Sequence, residues 1–244
     1  MPKSNQLERC AGSAVAARLA DQQAGGGSIP TSALHTITCG PRDLTVKPIP
    51  ARAARQICQD KHYLRSYPGG AFLNFGVFVG GLLLGVVVLG VGPTNLHRLF
   101  KDAQRREVAC LARLWLDDRL GRNSESRVLG IVLRLLRKEQ STLKALVAYS
   151  DPSVGHTGTI YRAAGFLYLG ESMAMPLYRL PNGSVHHSRS LSHSYGTHSR
   201  KHFKRHGVEV ELVQQSPKHT YLALIDPTWR DRLIRPEQPY PGKE

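Results

Sequence analysis

Acidic residues are scarce in this chain. Its 244 residues include 18 Asp and Glu against 33 Lys and Arg, which gives a formal net charge of +15 at pH 7 with the histidines neutral. Such a surplus attracts polyanions and gains affinity by releasing the counterions condensed on phosphates. Nucleic acid is therefore the predicted partner. An anionic membrane surface is the alternative, but it would favour a lysine-rich amphipathic helix, which we do not find.

Cysteine is also rare, and no two cysteines have the CxxC spacing. The four are Cys10, Cys39, Cys58 and Cys110. This pattern argues against a zinc ribbon or a disulfide framework and indicates reduced, partly buried thiols. Charged residues near the N-terminus leave no apolar core for a secretory signal, so we expect a soluble protein of a reducing cytoplasm.

One long apolar stretch, residues 71 to 92, lacks charged side chains. Its length is sufficient to span a bilayer. However, glycines interrupt it, valine dominates the remainder, and Gly80-Gly81 lies at its midpoint. These features favour two short buried strands joined by a tight turn over a membrane helix.

The rest of the pattern predicts an α/β (α+β) fold. A flexible extension over residues 1–42 precedes one domain over 43–235, and a Pro-rich tail over 236–244 follows. Within the domain we predict strands at 44–49, 107–116, 143–151, in FLYLGES, in VEVELVQ and in TYLALID, helices at 50–64, 117–138 and 155–166, and a short polar helix or loop at 93–106. The alternation of strands and helices predicts a central mixed sheet with parallel neighbours and a crevice beyond their carboxyl ends.

Residues 178–208 contain no acidic residue, but they contain six Lys or Arg and six His. This segment is either a solvated basic loop or an arm or ribbon that contacts the DNA backbone, and the overall charge favours the arm or ribbon. The histidines lack the spacing of a zinc finger. The candidate DNA-binding residues are Arg189, Arg200, Lys201, Lys204 and Arg205.

Asp151 follows a predicted strand and precedes a short helix that carries Tyr161. A carboxylate beside a helix N-terminus stays ionised and can accept a proton, so Asp151 is a candidate general base. The alternative is a turn residue before Pro152.

Four stretches of the sequence resemble one family. They are DKHYLRSYPGG, LARLWLDDRLGRNSESR, AYSDPSVGHTGTIYRAAGF and FLYLGES. Over roughly residues 44 to 230 the chain resembles the bacteriophage Mom family, DNA adenine modification proteins related to the GNAT acyltransferase fold. In GNAT enzymes a helix with a Tyr ends at Gly-Phe, and Tyr161, Gly165 and Phe166 match that pattern.

The resemblance implies a GNAT-like central sheet and an enzyme that converts the N6 amine of adenine in double-stranded DNA to a carbamoylmethyl (glycinamide) group. This modification would shield phage DNA from host restriction in the host cytoplasm. It also implies a set of catalytic residues: His62, Tyr63, Arg113, Ser124, Ser126, Asp151 and Tyr161.

Several of these residues have simpler alternatives. His62 can cap a loop, and Tyr63, Tyr67 and Phe72 can be core aromatics or a stacking wall for an extruded base. Arg113 can pair with Asp117 or Asp118, or bind a phosphate or a substrate carbonyl.

The donor is the least determined part of the predicted reaction. GNAT enzymes that use acyl-CoA hold its pyrophosphate on a Gly-rich helix start. The equivalent loop, RLGRNSESR, offers Gly121 and Asn123 and makes only a partial cradle. Acyl-CoA and glycyl-tRNA therefore both remain candidate donors, with tRNA as a second partner, and His62 with Asp151 is a candidate iron site. The rival functions are a non-catalytic nucleic-acid-binding protein and a conventional GNAT N-acetyltransferase.

Overall fold

A computed structural model describes residues 43–139, 142–174, 176–214 and 216–241, and these residues form two compact units. The first unit contains the described residues up to Tyr149, then Gly158–Leu169 and the described residues from Tyr221 onward. The second unit contains Ser150–Thr157 and the described part of Gly170–Thr220. The predicted flexible extension over 1–42 lies outside the described residues.

A seven-stranded mixed sheet forms the framework of the first unit, and it confirms the predicted fold class. The strands follow the order β1-β2-β3-β4-β5-β10-β6. Neighbours from β1 to β4 are antiparallel, whereas β4 and β5 are parallel. The strands are β1 (Thr45–Pro48), β2 (Ala71–Val79), β3 (Leu82–Gly90), β4 (Val108–Leu116), β5 (Ala145–Ser150), β6 (Leu167–Glu171) and β10 (His219–Leu224).

Helices cover both faces of this sheet. α1 (Ala51–Asp60) buries Ala54 and Cys58 in a cluster with Val86 and Val88 of β3. α2 (Ser124–Lys138) buries its apolar stripe in the main core with Val87 and Leu89 of β3. These two side chains point to the face of the sheet opposite to that of Val86 and Val88. The third helix, α3 (Thr159–Ala163), is a single short turn.

The apolar run over 71–92 is the predicted hairpin. Val79 of β2 pairs with Leu82 of β3, and the two residues between them are Gly80 (φ 53°) and Gly81 (φ 86°). Two consecutive positive φ angles suit a tight turn between antiparallel strands, and glycine adopts them without a steric cost. Within the described ranges, no helix has both the length and the apolar character to cross a membrane.

The predicted helix over 50–64 ends early, at Asp60. The backbone then turns, because the N–H of Arg65 donates to the carbonyl of His62 at 2.9 Å and Arg65 adopts a left-handed conformation (φ 46°). We refer to residues 61–66 as the Tyr63 turn.

The second unit is a small folded body that includes the basic segment, so this segment is not a solvated loop. It has a three-stranded antiparallel sheet in the order β8-β7-β9 and two helices. Its own core consists of five apolar residues that lie in these elements or next to them: Tyr178, Leu180, Leu191, Phe203 and Val210. The elements are β7 (Pro176–Arg179), β8 (Val185–His187), α4 (Ser188–Tyr195), α5 (Arg200–Arg205) and β9 (Glu211–Gln214).

Part of the Pro-rich tail packs on the first unit. The N–H of Gln238 donates to the carbonyl of Tyr168 at 2.8 Å, and the hydroxyl of Tyr240 donates to the carbonyl of Phe166. The rings of Tyr240 and Tyr168 are stacked with centroids 6.1 Å apart.

Gly158 at the start of α3 generates a stability prediction. It has a φ of 74°, and a Cβ added there would overlap the ring and hydroxyl of Tyr221. Gly165, at the other end, has a φ of 77° but no atom within 4 Å of its added Cβ. We expect Gly165→Ala to cost about 1–2 kcal/mol of unfolding free energy for the left-handed backbone alone. Gly158→Ala should cost about 1–3 kcal/mol more for overpacking. Urea unfolding of both variants checks this, and equal losses would contradict the Tyr221 contact.

Candidate active site

The candidate site lies where the sheet opens, at the carboxyl end of β4. The parallel register of β4 with β5 ends at Cys110 opposite Val147, although β4 continues to its last residue alongside β3. The register of β3 with β4 skips Ala112, which forms a β-bulge. Bulges redirect side chains and are frequent beside active sites. The residue that follows this bulge is Arg113.

Arg113 joins β4 to the Tyr63 turn. Its Nε donates to the carbonyl of Ser66 at 3.1 Å, its Nη2 to the hydroxyl of Ser66 at 3.2 Å, and its Nη1 to the carbonyl of Ala112 at 2.7 Å. Burial lowers the pKa of Arg113, but a guanidinium remains charged at any physiological pH. The alternative pairing with Asp117 is wrong, because the Asp117 carboxylate binds Arg119 at 2.7 Å.

His62 and Tyr63 are neighbours with opposite exposures. His62 is 4% exposed, and its Nδ1 accepts the N–H of Leu64 at 3.1 Å. His62 therefore caps the loop, which is the simpler of its two predicted roles. The rings of His62 and Tyr63 stack with centroids 4.5 Å apart, yet Tyr63 is 61% exposed. Tyr67 and Phe72 pack against the core, so the core-aromatic alternative holds for them but not for Tyr63.

Tyr161 is a buried phenol on α3. Its ring lies 5.0 Å from that of Tyr221 and 5.4 Å from that of Phe166, measured between centroids. Burial raises the pKa of Tyr161 well above its ordinary value, and nearby Cys110 and Tyr63 raise it further. Tyr161 is therefore protonated at physiological pH and can donate a proton or a hydrogen bond, but it cannot act as a base.

Within the first unit, Arg113 and Tyr63 are linked because Arg113 hydrogen-bonds Ser66 of the Tyr63 turn. An ionised Tyr63 would raise the pKa of both Arg113 and Tyr161. Cys110 belongs to the same group, but burial raises its pKa to about 12, so it stays a neutral thiol and is a poor nucleophile. The group combines one fixed cation with phenol donors, and this combination suits polarisation of a carbonyl or capture of an anion.

The start of α2 is a partial phosphate cradle. The hydroxyl of Ser124 donates to the carbonyl of Gly121 at 2.6 Å, and that of Ser126 donates to the carbonyl of Asn123 at 3.1 Å, so both serines stabilise the loop. Asn123 is left-handed (φ 70°) and provides no side-chain cap. The N–H of Ser124 is used by Gly121, and Glu125 places a carboxylate in the first turn. Both features oppose a pyrophosphate, so these residues fit coenzyme A poorly.

Asp151 belongs to the second unit and is built into a turn. Its carboxylate accepts the N–H of Ser153 at 3.1 Å and the Ser153 hydroxyl at 2.5 Å, and it lies 3.4 Å from Nζ of Lys218. Burial alone would raise the pKa of Asp151, but the Ser153 hydrogen bonds and the Lys218 charge together lower it. This geometry matches the turn alternative, and the carboxylate is permanently ionised.

A metal site was a further hypothesis for His62 and Asp151. In the described part of the chain, no group of three or more His, Cys, Asp or Glu side chains is arranged to hold a metal ion. The structure therefore gives no support to the candidate iron site.

Three partners of the predicted residues were not identified from the sequence. Ser66 holds Arg113 from 47 positions away, Lys218 pairs with Asp151, and Tyr221 lies against both Gly158 and Tyr161. No local pattern marks these residues, because each is a single polar or aromatic side chain whose partner is distant in the chain.

Solved GNAT acetyltransferases resemble the structure loosely. A GNAT family acetyltransferase from Elizabethkingia anophelis with acetyl-CoA bound is 11% identical, covers 75% of this chain and 98% of its own, and has a TM-score of 0.39. The ribosomal-protein-S5-alanine acetyltransferase from Vibrio fischeri is 12% identical, with coverages of 77% and 96% and a TM-score of 0.42. At these TM-scores the similarity carries no argument about chemistry.

Sequence comparison is more specific. The model of the Mom protein family matches residues 43–242. The Methylcarbamoylase mom of Escherichia phage Mu is 30% identical over 207 residues, which are 83% of this chain and 85% of that protein. The matched region includes the bulged end of β4, the Tyr63 turn and the folded basic unit. Because the family model matches most of the chain, the chain belongs to the Mom protein family.

Proposed function

We propose that the protein is a transferase that converts the N6 amine of adenine in double-stranded DNA to its carbamoylmethyl form, and that this product protects phage DNA from host restriction. The observation that carries the proposal is the 30% identity to a methylcarbamoylase over most of both chains. The hydrogen bonds between Arg113 and the turn that carries Tyr63, two residues that the resemblance implies, support it.

The chemistry assigns separate roles to these groups. The adenine amine is a poor nucleophile because its lone pair is delocalised into the ring, so the donor carbonyl must be activated. Arg113 and the protonated Tyr161 suit the stabilisation of the oxyanion that forms when the amine attacks. The attacking nitrogen must lose a proton, and the ionised Asp151 is the base that the resemblance implies.

For the donor, we propose glycyl-tRNA rather than acyl-CoA. The start of α2 fits a pyrophosphate poorly, as Glu125 and the used N–H of Ser124 indicate. A glycyl ester is already activated, and its transfer to the adenine amine forms an amide and releases the tRNA hydroxyl. The free glycyl amine then attacks C6 through a five-membered spiro intermediate. Collapse breaks the bond from C6 to the original nitrogen, which leaves as the carboxamide and gives the carbamoylmethyl product without a redox step.

The direct test is mass spectrometry of nucleosides from plasmid DNA of cells that express the protein. We expect a deoxyadenosine derivative that carries a carbamoylmethyl group, and it should be absent from cells with the empty vector. Unmodified adenine throughout would refute the proposed function. The same analysis on DNA with ¹⁵N at the adenine amine tests the donor: the glycyl route places the label in the carboxamide, whereas label retained on C6 excludes that route.

The role of Asp151 can be separated from its turn. Asp151→Asn removes the base, whereas Ser153→Ala removes the hydroxyl hydrogen bond of the turn but keeps the carboxylate and the backbone N–H that it accepts. If Asp151 is the general base, the first variant should lose about 10²–10⁴ in modification rate and the second should stay close to wild type. Equal losses in both variants, or wild-type activity of Asp151→Asn, would reduce Asp151 to a turn residue.

For DNA binding, we propose the surface of α5 in the second unit. Phe203 is buried in the small core of the unit, whereas the four cations of the helix are exposed: Arg200, Lys201, Lys204 and Arg205. The cap of α5 is the Ser199 hydroxyl, which accepts the N–H of His202 at 3.4 Å. Arg189 was a further candidate, but its side chain lies outside the described part of the structure. A cluster of cations on a folded support suits phosphate contacts.

Neutralising the four cations of α5 with glutamine should flatten the salt dependence of DNA binding. The log–log slope should fall by about 0.9 for each lost phosphate contact. The matched control neutralises four exposed cations of the first unit, Arg98, Lys101, Arg105 and Lys138, and makes an equal change in net charge. Fluorescence anisotropy over a salt series measures both slopes. An unchanged slope in the α5 variant, or equal changes in the two variants, would show that DNA docks elsewhere.

A further inference from the structure

The Tyr63 turn exposes two large apolar side chains side by side. Tyr63 is 61% exposed and Leu64 is 48% exposed. Among the exposed large hydrophobic residues of the described ranges, only these two are consecutive in the chain. Single exposed apolar residues are ordinary on protein surfaces, but an adjacent pair beside a candidate active site indicates a contact with a partner.

The turn is held in place from several directions. His62 is buried and its Nδ1 accepts the N–H of Leu64, while its carbonyl accepts the N–H of Arg65. Arg113 holds Ser66 by both its carbonyl and its hydroxyl. The left-handed backbone of Arg65 is unusual for a residue with a Cβ, and such backbone persists where the surroundings enforce it, often at functional sites. Leu64 therefore lies on a turn that several hydrogen bonds hold in place.

The two side chains differ in what lies near them. Tyr63 lies on the turn that Arg113 holds through Ser66, so it borders the candidate site. Leu64 is the next residue along the turn and makes its backbone contact to His62. An aromatic ring at the site and an aliphatic side chain beside it are the two surfaces that base extrusion requires.

The surroundings of the pair are positively charged. Lys61 and Arg65 flank it in the turn, and Arg52 and Arg55 project from α1, all four exposed. The guanidinium of Arg55 lies 4.8 Å from the centre of the ring of Tyr67, the residue that follows the turn. Apolar side chains with exposed cations next to them in the chain complement a DNA duplex, whose stacked bases lie between two phosphate backbones.

We propose that the Tyr63 turn extrudes the target adenine from the duplex: Leu64 enters the base stack at the vacated position, and the Tyr63 ring stacks on the extruded base. The inference rests on the proposed action on adenine in double-stranded DNA. Enzymes that carry out chemistry on a base must take it out of the stack, and apolar wedges stabilise the distorted duplex.

The test compares Leu64→Ala with wild type on three DNA substrates: a normal duplex, the same duplex with an abasic site opposite the target adenine, and the single strand. On the normal duplex, the variant should modify adenine roughly tenfold more slowly or worse, the size expected for one lost stacking contact. On the other two substrates it should match wild type, because no base pair has to be opened. Ile234→Ala, which shortens another exposed aliphatic residue of the first unit (58% exposed), should match wild type on all three.

A second readout does not depend on the chemical step. A duplex with 2-aminopurine at the target position should brighten when the wild-type protein binds without donor, since unstacking relieves quenching. Leu64→Ala should reduce this increase, Leu64→Met should restore it, and Tyr63→Phe should retain more of the duplex activity than Tyr63→Ala.

The experiments distinguish failure of the proposed role of Leu64, which we call the wedge, from failure of the proposed function. Equal slowing of Leu64→Ala on all three substrates, or a wild-type rate on the normal duplex, would overturn the wedge while leaving adenine modification intact. If wild type modifies none of the substrates, the proposed function fails. In that case the 2-aminopurine signal still tests base extrusion by itself. Extrusion by the Tyr63 turn is overturned if the fluorescence does not increase with the wild-type protein, or if Leu64→Ala gives the same increase as wild type.

Discussion

The guanidinium of Arg113 is placed where a cation is costly, half-buried at the open end of β4. Such a charge is tolerated only when hydrogen bonds replace the lost water, and Ser66 and Ala112 supply them through two carbonyls and a hydroxyl. The same bonds fix the Tyr63 turn against the sheet. The conformation of the turn, the exposure of Tyr63 and Leu64, and a fixed positive charge at the candidate site therefore share one cause.

The second fixed element is the buried aromatic group beneath α3. Gly158 can approach Tyr221 closely because it lacks a Cβ, and this approach brings the short helix down onto the sheet. Tyr161 is thereby buried between Tyr221 and Phe166, and burial is the principal cause of its raised pKa. Packing and acid–base character are thus linked, since the contacts that stabilise α3 also keep its phenol protonated.

The second unit shows how a basic segment becomes a defined surface. Five apolar residues bury a small core, and α5 contributes only Phe203 to it. The cations of α5 remain exposed because they occupy the other positions of the same helix. Asp151 and Lys218 form an ion pair within this unit, so the carboxylate that the resemblance selected is ionised by local contacts of its own.

The sequence by itself determined the main elements of the first unit and their order, whereas β7, β8, α4 and α5 of the second unit were not predicted. Alternating patterns, Gly80-Gly81 and the strand–helix–strand repeats depend on neighbouring residues, so the hairpin over 71–92 and the parallel pair of β4 and β5 were both predicted. Tertiary structure decided the roles of individual side chains. His62 became a buried loop cap and Tyr63 an exposed ring, although they are adjacent in sequence, because burial depends on what the rest of the chain places beside them. The partners of Arg113, Asp151 and Tyr161 come from distant positions, and no local pattern records a contact that only folding creates.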